Sequence, residues 1–152
     1  MITLIAATTK DGFIADNHGN GNFSSAEDKE HLRAILRHSC DGFICGTKTA
    51  NEFGAILNYK PMHVFTRKTP IDWVNMSEEF DLALLGGAQT YAWFLANGLV
   101  DNAIITTEQN IKFGAGLGLG FDKYSKQFKL KDKIELSPNT IVRYYEKIRA
   151  RV

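Results

Sequence analysis

Two hydrophobic periods alternate along this chain, and that alternation constrains its fold more than any other feature. Short apolar runs rich in β-branched residues are separated by stretches whose apolar residues recur every three or four positions. The runs are ITLIAAT (Ile2 to Thr8), DGFICG (ending at Gly46), MHVFTRK, DLALLGG and DNAIITTE. Between them lie FSSAEDKEHLRAIL, TKTANEFGAIL and AQTYAWFLANG. A run that is apolar at nearly every position buries both faces, as a central strand of a parallel sheet does. Helices between such strands supply the crossovers that parallel pairing needs. The expected fold is α/β: a mainly parallel central sheet with helices on both faces. KQFKLKDKIEL and TIVRYYEKIRARV alternate well enough to close the sheet as an antiparallel C-terminal strand pair. PIDWV reads as a short additional strand. With no internal repeat or linker, residues 1–152 are expected to form a single domain.

Composition narrows the partners. The chain is 44% hydrophobic and 23% charged, with a net charge of +1. That balance provides no basic footprint for nucleic acid. No apolar run approaches the roughly 18 residues of a membrane span. MITLIAATTKDG lacks a basic region ahead of its apolar run and reads as a first strand rather than an export signal. Cys40 and Cys45 form no CxxC pair and have too few partners for a metal site. Two free thiols in a reducing cytoplasm are expected, with no metal.

FSSAEDKEHLRAIL carries a helix start. Ser24 and Ser25 are good N-caps, and Glu27 lies three residues after Ser24, as in a capping box. The helix is expected from about Ser25 to Arg37. Its apolar stripe is Leu32, Ile35 and Leu36, and Asp28 lies one turn before Leu32 on the same face. A carboxylate therefore sits on the face that should be buried. The helix dipole offers a plainer reason for a first-turn acid, and Glu27 and Glu30 fit that plainer role.

Ligands of such sheets bind outside the carboxyl ends of the strands. In CGTKT, Gly46 turns a strand into a helix whose free N–H groups suit an anion, and Thr47, Lys48 and Thr49 add hydroxyls and a charge. In LLGGAQTY, Gly86 and Gly87 separate a strand from a helix and permit close approach of a pyrophosphate. Thr66, Arg67 and Lys68 end a strand and suit a phosphate monoester. Each of the three is also what an ordinary solvated turn looks like. FGAGLGLGF is not a nucleotide loop: GxGxxG fails from Gly114, Gly116 and Gly118, and no Lys-Ser/Thr follows.

Taken in order, MITLIAATTKDGFIADN, FSSAEDKEHL, ICGTKT, VFTRK, LLGGAQTYAWFL, IITTE and the ending NTIVRYYEKIR resemble the dihydrofolate reductase superfamily over essentially the whole chain. That superfamily includes the reductase domain of riboflavin biosynthesis. FSSAED, the spacing from Phe23 to Gly46, and GLVDNAII look more like the riboflavin branch; the length and the ending look more like dihydrofolate reductase. The resemblance implies an NADPH-dependent reductase in which Ala7 and Ile14 line the nicotinamide pocket together with Ala6. It places Gly46, Thr47, Lys48 and Thr49 on the cofactor pyrophosphate. Thr66, Arg67 and Lys68 would hold the adenosine 2′-phosphate. Gly86, Gly87, Ala88, Gln89 and Thr90 would form the second cofactor turn, with a cis bond between the glycines. Ile5, Ala6, Leu32, Leu85, Asp28 and Thr106 would contact substrate, with Asp28 as the catalytic acid and Thr106 hydrogen-bonded to it. A carboxylate there accepts two parallel N–H bonds from a 2-amino-4-oxo ring and helps protonate it.

The implied substrate is dihydrofolate or a related pterin. The alternatives are an aminopyrimidine ribosyl phosphate, for which Lys60 and His63 are candidate phosphate ligands, and a non-catalytic nucleotide-binding relative. A monomer or homodimer is expected. Several positions depart from the family pattern. Phe23 replaces a tryptophan, and Lys60 stands where an arginine grips the folate tail. The segment from Trp73 to Leu84 is short for the family's helix there. GAGLG replaces an acidic loop, so the contact that closes the mobile loop is expected to be missing.

Overall fold

A computed structural model describes residues 1–68 and 71–149. Pro70, the first residue of the expected PIDWV strand, and Ala150 to Val152, the end of the expected last strand, lie outside the described residues. In chain order the elements are β1 (Ile2–Thr9), β2 (Phe13–Ala15), α1 (Ala26–His38), β3 (Gly42–Gly46), α2 (Thr47–Phe53), β4 (Met62–Phe65) and α3 (Trp73–Glu79). They continue with β5 (Leu82–Leu84), α4 (Ala88–Ala96), β6 (Asn102–Glu108), β7 (Leu117–Gly118), a 3₁₀ segment (Phe121–Gln127), β8 (Phe128–Ser137) and β9 (Thr140–Lys147). Seven strands form one sheet in the order β4-β3-β5-β1-β6-β9-β8. The pairs from β4 through β6 are parallel, and β9 is antiparallel to both β6 and β8. The expected architecture is therefore observed, including the antiparallel closing pair. A small ladder of β2 with β7 adds an antiparallel piece that periodicity did not reveal.

Strand alternation divides the core in two. Leu4 and Ala6 of β1 join Ile44, Leu84, Tyr91 and Phe94 on the face covered by α3 and α4. Ile5 joins Leu36, Phe43 and Ala83 on the face covered by α1. Both faces are thus roofed by helices, which is why the central strands are apolar throughout.

Two local expectations are corrected. Where PIDWV suggested a strand and the segment looked short for a helix, α3 forms. The Asp72 side chain caps it, accepting the Asn75 amide at 3.1 Å, and Trp73 is buried against Phe94. Capping and tertiary packing override the β preference of Trp-Val. The cap of α1 is Ser25 rather than Ser24, and its hydroxyl accepts the Asp28 amide at 3.1 Å.

Candidate active site

The register of α1 puts its first-turn acid indoors. Asp28 is only 5% exposed, whereas Glu27 and Glu30 are exposed. Leu32 and Ile35, further along the same face, pack with Leu36 against Ile5 and Phe43. The buried Thr106 of β6 donates its hydroxyl to Asp28 Oδ1 at 2.6 Å. Burial pushes the Asp28 carboxyl above the usual carboxylate range. The Thr106 bond opposes that rise and the negative charge of Glu108 adds to it. Tyr144 of β9 stands on this side as well, its hydroxyl 2.5 Å from His31 Nε2. Burial raises the Tyr144 phenol, and the charges of Asp132 and Asp28 raise it further.

The carboxyl ends of β3 and β5 bring the two glycine turns together. Gly46 N–H donates to Gly86 C=O at 2.7 Å. A Cβ on Gly46 would fall 2.8 Å from the Thr90 hydroxyl. The Gly86–Gly87 peptide is cis. Gly86 has φ of +111°, and a Cβ there would meet the Tyr91 ring at 3.1 Å. Gly87 differs: its φ is −80°, and the nearest atom to a Cβ is Thr49 Oγ1 at 4.0 Å. Backbone restriction therefore belongs to Gly86, while the space over Gly87 is open. Gly86, and not Gly87, carries the positive φ of the pair. Gly46 and Gly87 each precede a helix, so the N-termini of α2 and α4 lie side by side. Thr47, Lys48 and Gln89 are exposed there, Thr49 and Ala88 half-buried, and Thr90 buried. Thr66 follows β4, and Arg67 and Lys68 are exposed in the next turn. The open space and the paired helix starts fit a pyrophosphate.

The expected substrate residues come together with exceptions. Ile5, Leu32 and Leu85 share the α1-side core, and Ala7 is in register with Thr106 on that face. Ala6 faces the opposite core, because successive strand residues alternate. Ile14 of β2 packs against that opposite core too. Lys60 is not a phosphate or tail clamp: its ammonium donates to the carbonyls of Leu36, Arg37 and Cys40 at 2.7, 2.7 and 2.6 Å. All three of its hydrogens close the end of α1. His63 is in register with Ile44, which places it on the face away from Asp28.

The loop latch is also different from expectation. An acid is present, but on the other side of the contact, in the turn between β1 and β2. Asp11, after β1, accepts the Gly114 and Phe113 amides at 2.8 and 3.2 Å and the Thr9 hydroxyl at 2.6 Å. These bonds, led by the Thr9 hydroxyl, hold its carboxyl below the usual range. Phe23 stacks edge-on against Phe113, with ring centroids 5.2 Å apart.

Tyr91 and Glu108 are among the buried polar residues that the sequence did not single out as functional. Tyr91, one turn beyond Gly87, donates its hydroxyl to Ile5 C=O at 2.6 Å, and burial raises its phenol. Glu108 is 2% exposed. Its signal was its place two residues beyond Thr106, on the same strand face.

No protein-family model matches the sequence, and no curated protein matches it. Solved structures do match in fold. A riboflavin biosynthesis protein of Shewanella sp. PV-4 superposes with a TM-score of 0.72 at 19% identity, over 97% of this chain and 99% of that one. A diaminohydroxyphosphoribosylaminopyrimidine deaminase/5-amino-6-(5-phosphoribosylamino)uracil reductase of Thermotoga maritima gives 0.72 at 14%, over 97% of this chain and 56% of that one. Dihydrofolate reductase of Enterococcus faecalis, in complex with NADP(H), gives 0.73 at 12%, over 97% and 96%. The chain has the dihydrofolate reductase-like α/β fold.

Proposed function

We propose that the protein is an NADPH-dependent reductase that converts a 7,8-dihydropterin ring, as in dihydrofolate, to its tetrahydro form. The observation that carries this reading is Asp28: a carboxyl 5% exposed, fixed by Thr106 at 2.6 Å on the strand face shared with Ala7. An inward carboxylate costs several kcal/mol to desolvate, and one neutral hydroxyl offsets only part of that, so its place there suits a ligand that uses it. The edge not bonded to Thr106 can accept parallel N–H bonds from a 2-amino-4-oxo ring. The raised carboxyl holds a proton nearer neutral pH than an ordinary aspartate and can pass it to the ring nitrogen.

NADPH, when bound, supplies the hydride to the adjacent carbon, so that hydride and proton together reduce a C=N bond. Thr47, Lys48, Thr49, Ala88, Gln89 and Thr90 would hold its pyrophosphate at the two helix starts. Arg67, Lys68 and Thr66 would hold its 2′-phosphate.

A second reading shares the ring chemistry. The deaminase/reductase of Thermotoga maritima is named for an aminopyrimidine bearing a ribosyl phosphate, and a substrate of that kind would present similar N–H groups to Asp28. The engagement of Lys60 at the end of α1 removes that lysine from both readings alike, because it then grips neither a glutamate tail nor a phosphate.

The test follows NADPH absorbance with dihydrofolate, dihydropterin and the aminopyrimidine ribosyl phosphate separately. Oxidation with a dihydropterin supports the reading, and oxidation with the phosphate alone selects the second. NADPH binding without turnover of any of them makes this a nucleotide-binding protein instead.

A further inference from the structure

We propose that Glu108 is a positioning residue for Asp28: by taking the Ser25 amide it frees the Asp28 carboxyl to face the site. The inference rests on the reductase reading for its effect on turnover, though not for its effect on Asp28.

Ser25 is the N-cap of α1 and Asp28 is its third helical residue. That pair has the spacing of a capping box. Half of the box is present: Ser25 Oγ accepts the Asp28 amide at 3.1 Å. In the usual box the acid at the third position returns the favour by accepting the cap's own N–H. Here Ser25 N–H donates at 2.5 Å to Glu108 Oε2, from β6. The Asp28 carboxyl, relieved of that task, accepts from Thr106 instead.

Glu108 is itself held. It is 2% exposed, and its other oxygen accepts the hydroxyl of Thr140, its register partner on β9. Thr140 has one proton, and the carboxylate is the stronger acceptor. The 3.0 Å contact between Thr140 Oγ1 and Ser25 Oγ is therefore Ser25 donating to Thr140. Glu108, Thr140 and Ser25 form one hydrogen-bonded ring, with the Asp28 amide attached to it at Ser25 Oγ, and it ties the start of α1 to the sheet. Thr106 and Glu108 are two apart on β6, so the ring and the Asp28–Thr106 bond lie on one face.

Volume and charge can be separated by substitution. Glu108→Gln keeps the ring: its carbonyl accepts Ser25 N–H, its amide donates to Thr140, and the Thr140 proton turns to Ser25. Glu108→Leu keeps most of the volume but leaves Ser25 N–H unpaired, so the Asp28 carboxyl is drawn back to close the capping box. The titratable groups around Asp28 are Glu27 and His31 of α1, Glu108 of β6 and Tyr144 of β9, with Asp132 of β8 beyond Tyr144.

The experiment records the Asp28 side-chain carbon by NMR titration and the Ser25 amide by hydrogen exchange, on the ligand-free protein. Turnover is then measured with NADPH and dihydropterin. In Glu108→Leu, Asp28 should titrate at lower pH than in the native protein. Its kcat should fall by about 10²-fold, the scale of a misplaced catalytic group, with NADPH affinity unchanged. Glu108→Gln should keep slow exchange at Ser25 and a kcat within a few-fold of native; its Asp28 midpoint should also fall, through loss of the neighbouring charge. An Asp28 midpoint no lower in Glu108→Leu than in Glu108→Gln overturns the proposal, as does equal damage to turnover by Gln and Leu. Where Glu108→Leu does not fold, Glu108→Asp takes its place, keeping the charge on a side chain one methylene shorter that no longer reaches the Ser25 amide: fast Ser25 exchange with a lowered Asp28 midpoint and kcat supports the proposal, and fast exchange with native values of both overturns it. If the native protein turns over no substrate, the reductase reading fails while the Asp28 titration still decides the positioning role.

Discussion

Gly86 and Gly87 are adjacent and chemically identical, yet alanine should have opposite effects at the two. At Gly86 the φ of +111° is a conformation that L side chains rarely adopt, and the new methyl would lie 3.1–3.2 Å from three atoms of the Tyr91 ring. The ring cannot retreat cheaply, because its hydroxyl is anchored on Ile5 C=O at 2.6 Å. Backbone strain of about 1–3 kcal/mol and crowding of about 1–3 kcal/mol sum to roughly 2–6 kcal/mol of lost stability for Gly86→Ala. With an m-value of about 2 kcal/mol/M in urea, the unfolding midpoint should drop by about 1–3 M. At Gly87 the φ is −80° and no atom lies nearer than 4.0 Å. There alanine should leave stability unchanged or raise it by about 0.4–1 kcal/mol, through the unfolded chain. Its methyl would instead project into the space argued to take the pyrophosphate, so NADPH affinity should fall. Urea titration and NADPH fluorescence titration of both variants measure these effects. A Gly86→Ala protein as stable as native would refute the backbone argument. A Gly87→Ala protein with native NADPH affinity would refute the close approach.

Three further outcomes are expected. Arg67→Ala with Lys68→Ala should weaken NADPH by roughly 10–100-fold through loss of charge-assisted bonds and leave NADH unaffected; equal loss for both cofactors shows that the pair does not read the 2′-phosphate. Asp11→Asn should speed hydrogen exchange at the Phe113 and Gly114 amides. Because the native carboxyl titrates below its ordinary value, the native protection should be lost only as pH falls through that lowered range; unchanged exchange in the variant rules the latch out. Asp28 titrates above its ordinary 3.8 in the folded protein, so the folded state binds the extra proton and stability declines as pH rises from 3.8 through the raised value. Asp28→Asn should therefore raise Tm at neutral pH, by about 2–4 °C per kcal/mol gained, and the gain should vanish below the ordinary value; a Tm difference independent of pH would show that the carboxyl is not the cause.

Much of this was legible because it depends on local pattern. The apolar runs became β1, β3, β5 and β6, and the four-residue step from Asp28 to Leu32 placed the acid on the buried face without any tertiary information. What failed depended on partners far away in sequence. Lys60 looked like a free cation because nothing in its own neighbourhood shows that the end of α1 will use it. His63 looked available because strand register decides its face. PIDWV misled because Trp73 satisfies a buried helix as well as a strand, and Asp72 tips the balance by capping. Glu108 drew no reading beyond closing the DNAIITTE run, because the Ser25 and Thr140 groups that account for its burial reach it only in the fold.

The central claim is that Asp28 handles the proton of a reduction. The pH dependence of turnover in Asp28→Asn tests it most directly, with Glu27→Gln and Glu30→Gln, both exposed, as controls. The account requires turnover at neutral pH to fall by roughly 10² or more, NADPH affinity to hold, and the residual rate to recover as pH falls and solvent protonates the ring. Native turnover in Asp28→Asn, or its loss in Glu30→Gln instead, would contradict the account.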